Sequence, residues 1–143
     1  MSIASVLLVD DEAEFVETFS ERLELRNIKI YKAFNGETAL QVLEKNHDIE
    51  VVILDVKMPG MDGIETLAEI KKKFPLVEVI MLSGHADVES AIEGMKLGAF
   101  DYLIKPSEMD QIVAKITEAV AKKHQHEEKI IQARIREITS RRT

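Results

Sequence analysis

Short apolar runs alternate with amphipathic segments five times along this chain. Residues 5–9 form the first run and stop at Asp10-Asp11. Helical spacing follows at Phe15, Phe19 and Leu23, with Val16 beside them. Residues 28–33 alternate more loosely, through Ile28, Ile30 and Ala33, as suits an edge strand. Asn35 is placed to cap a helix carrying Ala39, Leu40 and Leu43. Residues 51–54 form an unbroken apolar run that ends at Asp55 and a turn containing Pro59 and Gly60. Asp62-Gly63-Ile64-Glu65 resembles a capping box and opens a helix with Ile64, Leu67 and Ala68 inward. Phe74-Pro75 closes it, because proline disfavours helical geometry in the residue before it. Residues 77–82 are the fourth strand. Asp87 caps a helix with Val88, Ala91, Ile92 and Met95 on one face, stopped by Gly98. Residues 100–104 are a short fifth strand. Ser107-Glu108-Met109-Asp110 is another cap, and Ile112, Val113, Ile116, Ala119 and Val120 form the last core face.

Strands alternating with helices predict an α/β fold with a parallel sheet covered on both sides. The first, third and fourth strands are apolar throughout, which marks them as central. Right-handed crossovers leave few topologies. The expected architecture is a flavodoxin-like, doubly wound, five-stranded parallel sheet of order 2-1-3-4-5 with an extended C-terminal helix. That order sets the first and third strands side by side at the switch point. It therefore brings Asp10, Asp11 and Asp55 to one rim.

Composition narrows the field. A chain of 143 residues, 45% hydrophobic, fits one compact domain with a core. With no cysteine, disulfides and thiolate metal sites are excluded. The apolar runs are too short to cross a bilayer and no signal sequence is recognisable, so a cytoplasmic location is expected. Residues 1–120 hold 12 basic and 23 acidic side chains, a net −11, while residues 121–143 hold 7 and 3, a net +4. The acidic body should repel nucleic acid, and the basic tail reads best as a solvated helix surface.

Two carboxylates about 5 Å apart repel by roughly 3 kcal/mol at an effective dielectric near 20. Three must share protons, spread out or bind a cation. Oxygen ligands without histidine or cysteine favour a hard ion such as Mg²⁺. Capping of the first helix by Asp10 or Asp11 would explain one acid and leave Asp55 unexplained. The fourth strand delivers Ser83 to the same rim, and Lys105-Pro106 follows the fifth. A hydroxyl and an ammonium opposite three acids suit a phosphoryl group. Each also has a plain explanation, Ser83 as a turn residue and Lys105 as a surface lysine.

Four segments together resemble the receiver domains of bacterial two-component response regulators. They are Val6-Leu7-Leu8-Val9-Asp10-Asp11-Glu12, Ile53-Leu54-Asp55-Val56-Lys57-Met58-Pro59-Gly60-Met61-Asp62-Gly63, Met81-Leu82-Ser83-Gly84-His85 and Gly98-Ala99-Phe100-Asp101-Tyr102-Leu103-Ile104-Lys105-Pro106. The resemblance covers residue 5 to about residue 121. It implies that Asp55 accepts a phosphoryl group from a phosphohistidine on a sensor histidine kinase or phosphotransfer protein. It implies that Asp10, Asp11, Asp55 and the backbone carbonyl of Lys57 hold Mg²⁺. Ser83 and Lys105 would contact phosphoryl oxygens, and the Lys105–Pro106 peptide is often cis. Ser83 and Tyr102 would form the switch, although Tyr102 is equally readable as a static edge-strand aromatic. Lys57 and His85 occupy positions that tune phosphate lifetime, with His85 read mainly as a solvated loop residue. Such a protein is a signalling module, catalysing only its own phosphorylation and dephosphorylation.

Two other classes use related parts. Haloacid dehalogenase-type phosphatases place Asp-x-Asp at the end of the first strand, whereas Asp10 and Asp11 are adjacent. A flavodoxin's phosphate loop is rich in Ser, Thr and Gly, whereas the first loop here is acidic. The expected division is a receiver over residues 1–121 and a helical tail over residues 122–143. In the tail, Ile131, Ile135 and Ile138 recur at helical spacing with Ile130 alongside. It reads as a homodimerisation segment or a linker to an output domain, in preference to a docking helix for another partner. No output activity is legible in it.

Overall fold

The computed structural model describes residues 2–58, 60–84 and 88–141. Ten elements alternate as β1 (Ala4–Val9), α1 (Ala13–Leu25), β2 (Ile28–Ala33), α2 (Gly36–Lys45), β3 (Val51–Leu54), α3 (Gly63–Lys73), β4 (Glu78–Ser83), α4 (Val88–Lys96), β5 (Asp101–Ile104) and α5 (Met109–Arg141). The five strands form one sheet in the order β2-β1-β3-β4-β5, all pairs parallel. The expected topology is therefore the observed one.

Every residue of β1, β3 and β4 is buried, while β2 and β5 are partly open, as befits central and edge positions. The period-2 alternation of a strand splits the core into two layers. Leu7, Val9, Val52, Leu54, Val79 and Met81 face α2 and α3, meeting Ala39, Leu43, Leu67 and Ile70. Val6, Leu8, Ile53, Ile80 and Leu82 face α1 and α5, meeting Val16, Phe19, Leu23, Ile112 and Ile116. Burying such a side chain contributes about 1.5–3 kcal/mol. These two layers hold the strand tips in place.

Helix ends follow the local signals in part. Asn35 accepts the Thr38 N–H at 2.8 Å, and Asp62 accepts the Glu65 N–H at 2.8 Å. Phe74 ends α3 before Pro75. Gly98 stands at φ +105° after α4, a left-handed conformation that glycine adopts without strain. The α1 start differs from a side-chain cap: Glu12 is the N-cap and makes no capping bond, and Asp10 accepts the Glu12 N–H at 2.9 Å instead. Ser107 donates its hydroxyl back to the Ile104 carbonyl, closing the turn after β5. The Asp87 cap lies outside the described residues.

Helix α4 corrects the sequence expectation. Val88, Ile92 and Met95 are exposed by 73%, 51% and 46%, and the residue α4 buries is Gly94. A Cβ on Gly94 would sit 3.8–3.9 Å from Leu67, Met81 and Ile64. The helix thus approaches the core through its smallest residue. Large apolar side chains on the opposite stripe are left facing outward.

Helix α5 is continuous for 33 residues. Ile112, Ile116 and Ala119 are buried, whereas Ile131, Ile135 and Ile138 are each more than half exposed. Among the described residues, no helix is long and apolar enough to cross a membrane.

Candidate functional site

Strands β1 and β3 end in register, with Val9 opposite Leu54. The ladder runs one residue further on each. Asp10 donates its N–H to the Ala33 carbonyl at 3.2 Å, and Asp55 donates to the Val9 carbonyl at 3.0 Å. The two aspartates are therefore fixed by backbone bonds at the rim rather than carried on free loops. Asp10 is 1% exposed and Asp55 6%, while Asp11 is open to solvent. One carboxylate oxygen from each of Asp10, Asp11 and Asp55 lies within 4.8 Å of the other two. An all-oxygen donor set this compact fits a small hard cation, and the mutual repulsion of the acids favours its entry.

Strands β4 and β5 complete the rim. Ser83 is fully buried at the end of β4, opposite Ile104, and its carbonyl accepts the Lys105 N–H at 2.8 Å. The Lys105–Pro106 peptide is cis. The Lys105 ammonium lies 2.6 Å from Asp10 Oδ2 and 3.6 Å from Glu12. It also stands 4.0 Å from the centroid of the Phe15 ring.

The electrostatics set two of the acids apart. Among the described residues, the ion-pair partners of Lys105 within 4 Å are Asp10 and Glu12. Asp10 accepts from both Lys105 and the Glu12 N–H, so it is well served. Asp55 is not: its carboxyl is pushed up to about 6, first by burial and then by the Asp10 charge, with Asp11 adding to the rise. Lys105 and a hydrogen bond from the Val56 backbone oppose the rise without cancelling it.

Asp10, Asp11, Asp55, Ser83 and Lys105 thus share one rim, delivered by four strands. Lys57 is exposed two residues past Asp55. Tyr102 is half-buried on β5 and packs against the core layer under α2 and α3. His85 lies outside the described residues.

Two residues at the rim escaped the sequence reading. Gly63, taken only as part of a cap, donates its N–H to the Val56 carbonyl at 2.8 Å. A Cβ there would run into the Asp55 carbonyl oxygen and the Val56 backbone. Glycine is what lets α3 press against the segment that presents Asp55. Its only signal in sequence is a glycine directly after a capping aspartate. Phe15, read as core, covers Lys105; its signal is a position one helical turn beyond Asp11.

A family model described as the response regulator receiver domain matches residues 6–117. The chain is 38% identical over 111 residues to the regulatory protein AtoC of Escherichia coli strain K12, covering 78% of this chain and 24% of that protein. It is 38% identical over 120 residues to the transcriptional regulatory protein ZraR of Escherichia coli O157:H7, covering 83% and 27%. The chain spans about a quarter of the length of these curated relatives. Among solved structures, a response regulator receiver domain protein from Clostridium thermocellum superposes with a TM-score of 0.82 at 36% identity, covering 86% of this chain and 98% of that one. NtrX from Brucella abortus gives 0.82 at 30% identity, covering 90% and 29%.

Proposed function

This chain belongs to the response regulator receiver domain family, and we propose that it accepts a phosphoryl group on Asp55 and passes the event on through protein contacts. The observation that carries this reading is the convergence of Asp10, Asp11 and Asp55 within 4.8 Å at the rim, beside Lys105 and Ser83. The donor is a phosphohistidine on a sensor histidine kinase or phosphotransfer protein. A carboxylate oxygen of Asp55 forms a bond to phosphorus as the phosphorus–nitrogen bond breaks. The imidazole keeps the electron pair of that bond and takes up a proton.

Asp10, Asp11 and Asp55 through their carboxylates, and Lys57 through its backbone carbonyl, would hold Mg²⁺. When bound, the ion supplies charge that keeps Asp55 ionised and offsets the phosphoryl oxygens. Lys105 turns part of its donor set from Asp10 to a phosphoryl oxygen. Ser83, buried at the tip of β4, donates its hydroxyl to another. That pull on β4 reaches Tyr102, which pairs with Met81 across the sheet, and so connects the site to the α4–β5–α5 face. The protein is a signalling module rather than a turnover enzyme.

Residues 1–121 form the receiver in this reading, and residues 122–143 a linker or homodimerisation segment. The exposed Ile131, Ile135 and Ile138 support that role, because most helical stability comes from packing an apolar face. A cytoplasmic location and no nucleic-acid contact by this chain itself go with the reading.

Asp55→Asn tests it. Acetyl phosphate with Mg²⁺ should label the unaltered protein and leave the variant blank on a phosphate-affinity gel. Undiminished labelling of the variant removes Asp55 as acceptor.

A further inference from the structure

We propose that Phe15 is a positioning residue for the phosphoryl chemistry, its aromatic face serving as the seat from which the Lys105 ammonium is offered to the incoming group. The proposal rests on the reading of Lys105 as a phosphoryl contact.

The geometry is specific. Lys105 Nζ stands 4.0 Å from the Phe15 ring centroid, well inside the range of a cation–π contact. The ring is itself fixed: it stacks on Phe19 at 5.0 Å and 18°, and Phe19 is buried in the layer between the sheet and α1. The Lys105 side chain is only 15% exposed, so the ring replaces water on one flank of the ammonium.

The choice of an aromatic has a chemical consequence. Asp10 alone would hold the ammonium in a close pair at 2.6 Å, and a second buried carboxylate would hold it more tightly still. A ring face attracts the cation through its quadrupole and adds no formal negative charge. The ammonium is oriented, stays positive, and keeps N–H bonds free to redirect. A leucine at position 15 would fill space beside Phe19 but offer the ammonium nothing.

The test uses the full 143-residue chain. Phe15→Leu removes the ring, Phe15→Tyr keeps it, and 3,4,5-trifluorophenylalanine at position 15 keeps the shape while cancelling the quadrupole. Rates of labelling by acetyl phosphate with Mg²⁺ should fall about three- to tenfold in the leucine and trifluoro forms and return to near the starting rate with tyrosine. In a Lys105→Ala background the same changes should have no further effect. A trifluoro form that labels at the original rate reduces Phe15 to packing and overturns the proposal, whatever leucine does. The Lys105 ε-methylene proton shifts give a readout that needs no phosphoryl donor. They should lie upfield because of the ring and move downfield in Phe15→Leu. If no form is labelled while those shifts behave as expected, it is the phosphoacceptor reading that fails; unmoved shifts overturn the seating of Lys105 itself.

Discussion

At the N-terminal ends of the strands, Asp48, Glu50 and Glu78 each meet bases of their own; at the C-terminal ends, Asp10, Asp11 and Asp55 crowd one another and Lys105 pairs with Asp10. Asp48 accepts from Tyr31 at 2.8 Å and pairs with Lys29 at 3.1 Å. Glu50 accepts the Ser5 N–H at 3.0 Å and meets His124 at 3.1 Å. Glu78, whose side chain is 2% exposed, lies between Lys122 at 3.5 Å and Lys71 at 3.9 Å. Burial pushes the Lys71 ammonium below the usual lysine range against the pull of Glu78, and Lys122 adds like charge. Acid and base balance there, and the acids clamp α5 and α3 to the sheet. At the opposite rim the acids outnumber the base and Asp55 holds the deficit. One end of the sheet carries its own counter-charges, and the other carries an excess of acid.

The contrast can be broken from either side. The largest stability effect should come from the balanced end: Glu78→Gln leaves Lys71 and Lys122 without their buried counter-charge. It should cost about 3 kcal/mol in urea unfolding while phosphoryl labelling of the folded protein persists. At the other end, Gly63→Ala forces a methyl group into the Asp55 carbonyl and the Val56 backbone. A loss of about 2 kcal/mol should accompany slower labelling, because the segment presenting Asp55 must move.

A smaller effect sharpens the comparison through pH. Burial and then the Asp10 charge push the folded Asp55 carboxyl up to about 6, above its ordinary 3.8. Between those values the folded state binds the extra proton, so its stabilising contribution is full below pH 3.8 and is lost as pH rises through 6. In metal-free protein, Asp55→Asn should therefore gain on the unaltered chain by on the order of 1–2 kcal/mol between pH 4 and 7, after screening by solvent. Added Mg²⁺ should narrow that gap, and a flat difference across the range would show that the acids do not crowd. The smallest effect belongs to His124→Ala. His124 is mostly exposed, so thermal unfolding should register no more than about 0.5 kcal/mol.

What was legible in sequence was what local pattern controls. The runs before Asp10 and Asp55 read as buried strands because they are apolar throughout, and their ends are marked by acids and turn residues. The wholly apolar runs marked the central strands, and the flavodoxin-like order brought the three acids together. The misreadings concern which partner wins in three dimensions. Helix α4 buries Gly94 rather than Ile92 or Met95, because how closely a backbone can approach outweighs the apolar stripe. Lys105, also readable as a surface lysine, is mostly buried and pairs with Asp10, because a lysine reaches whichever buried acid its strand end presents. Gly63 and Phe15 gained their roles from contacts with segments 7 and 90 residues away in sequence, and no periodicity carries that information. The Lys71–Glu78–Lys122 cluster likewise joins three elements that show nothing unusual one at a time.

The unbroken run of α5 has a mechanical consequence. From Ala119, its last fully buried residue, to Arg141 the helix extends about 33 Å. A tilt of about 5° at its buried root would carry the far tip sideways by about 3 Å. The root begins four residues after Lys105, so any small displacement there would be multiplied along the rod in proportion to its length.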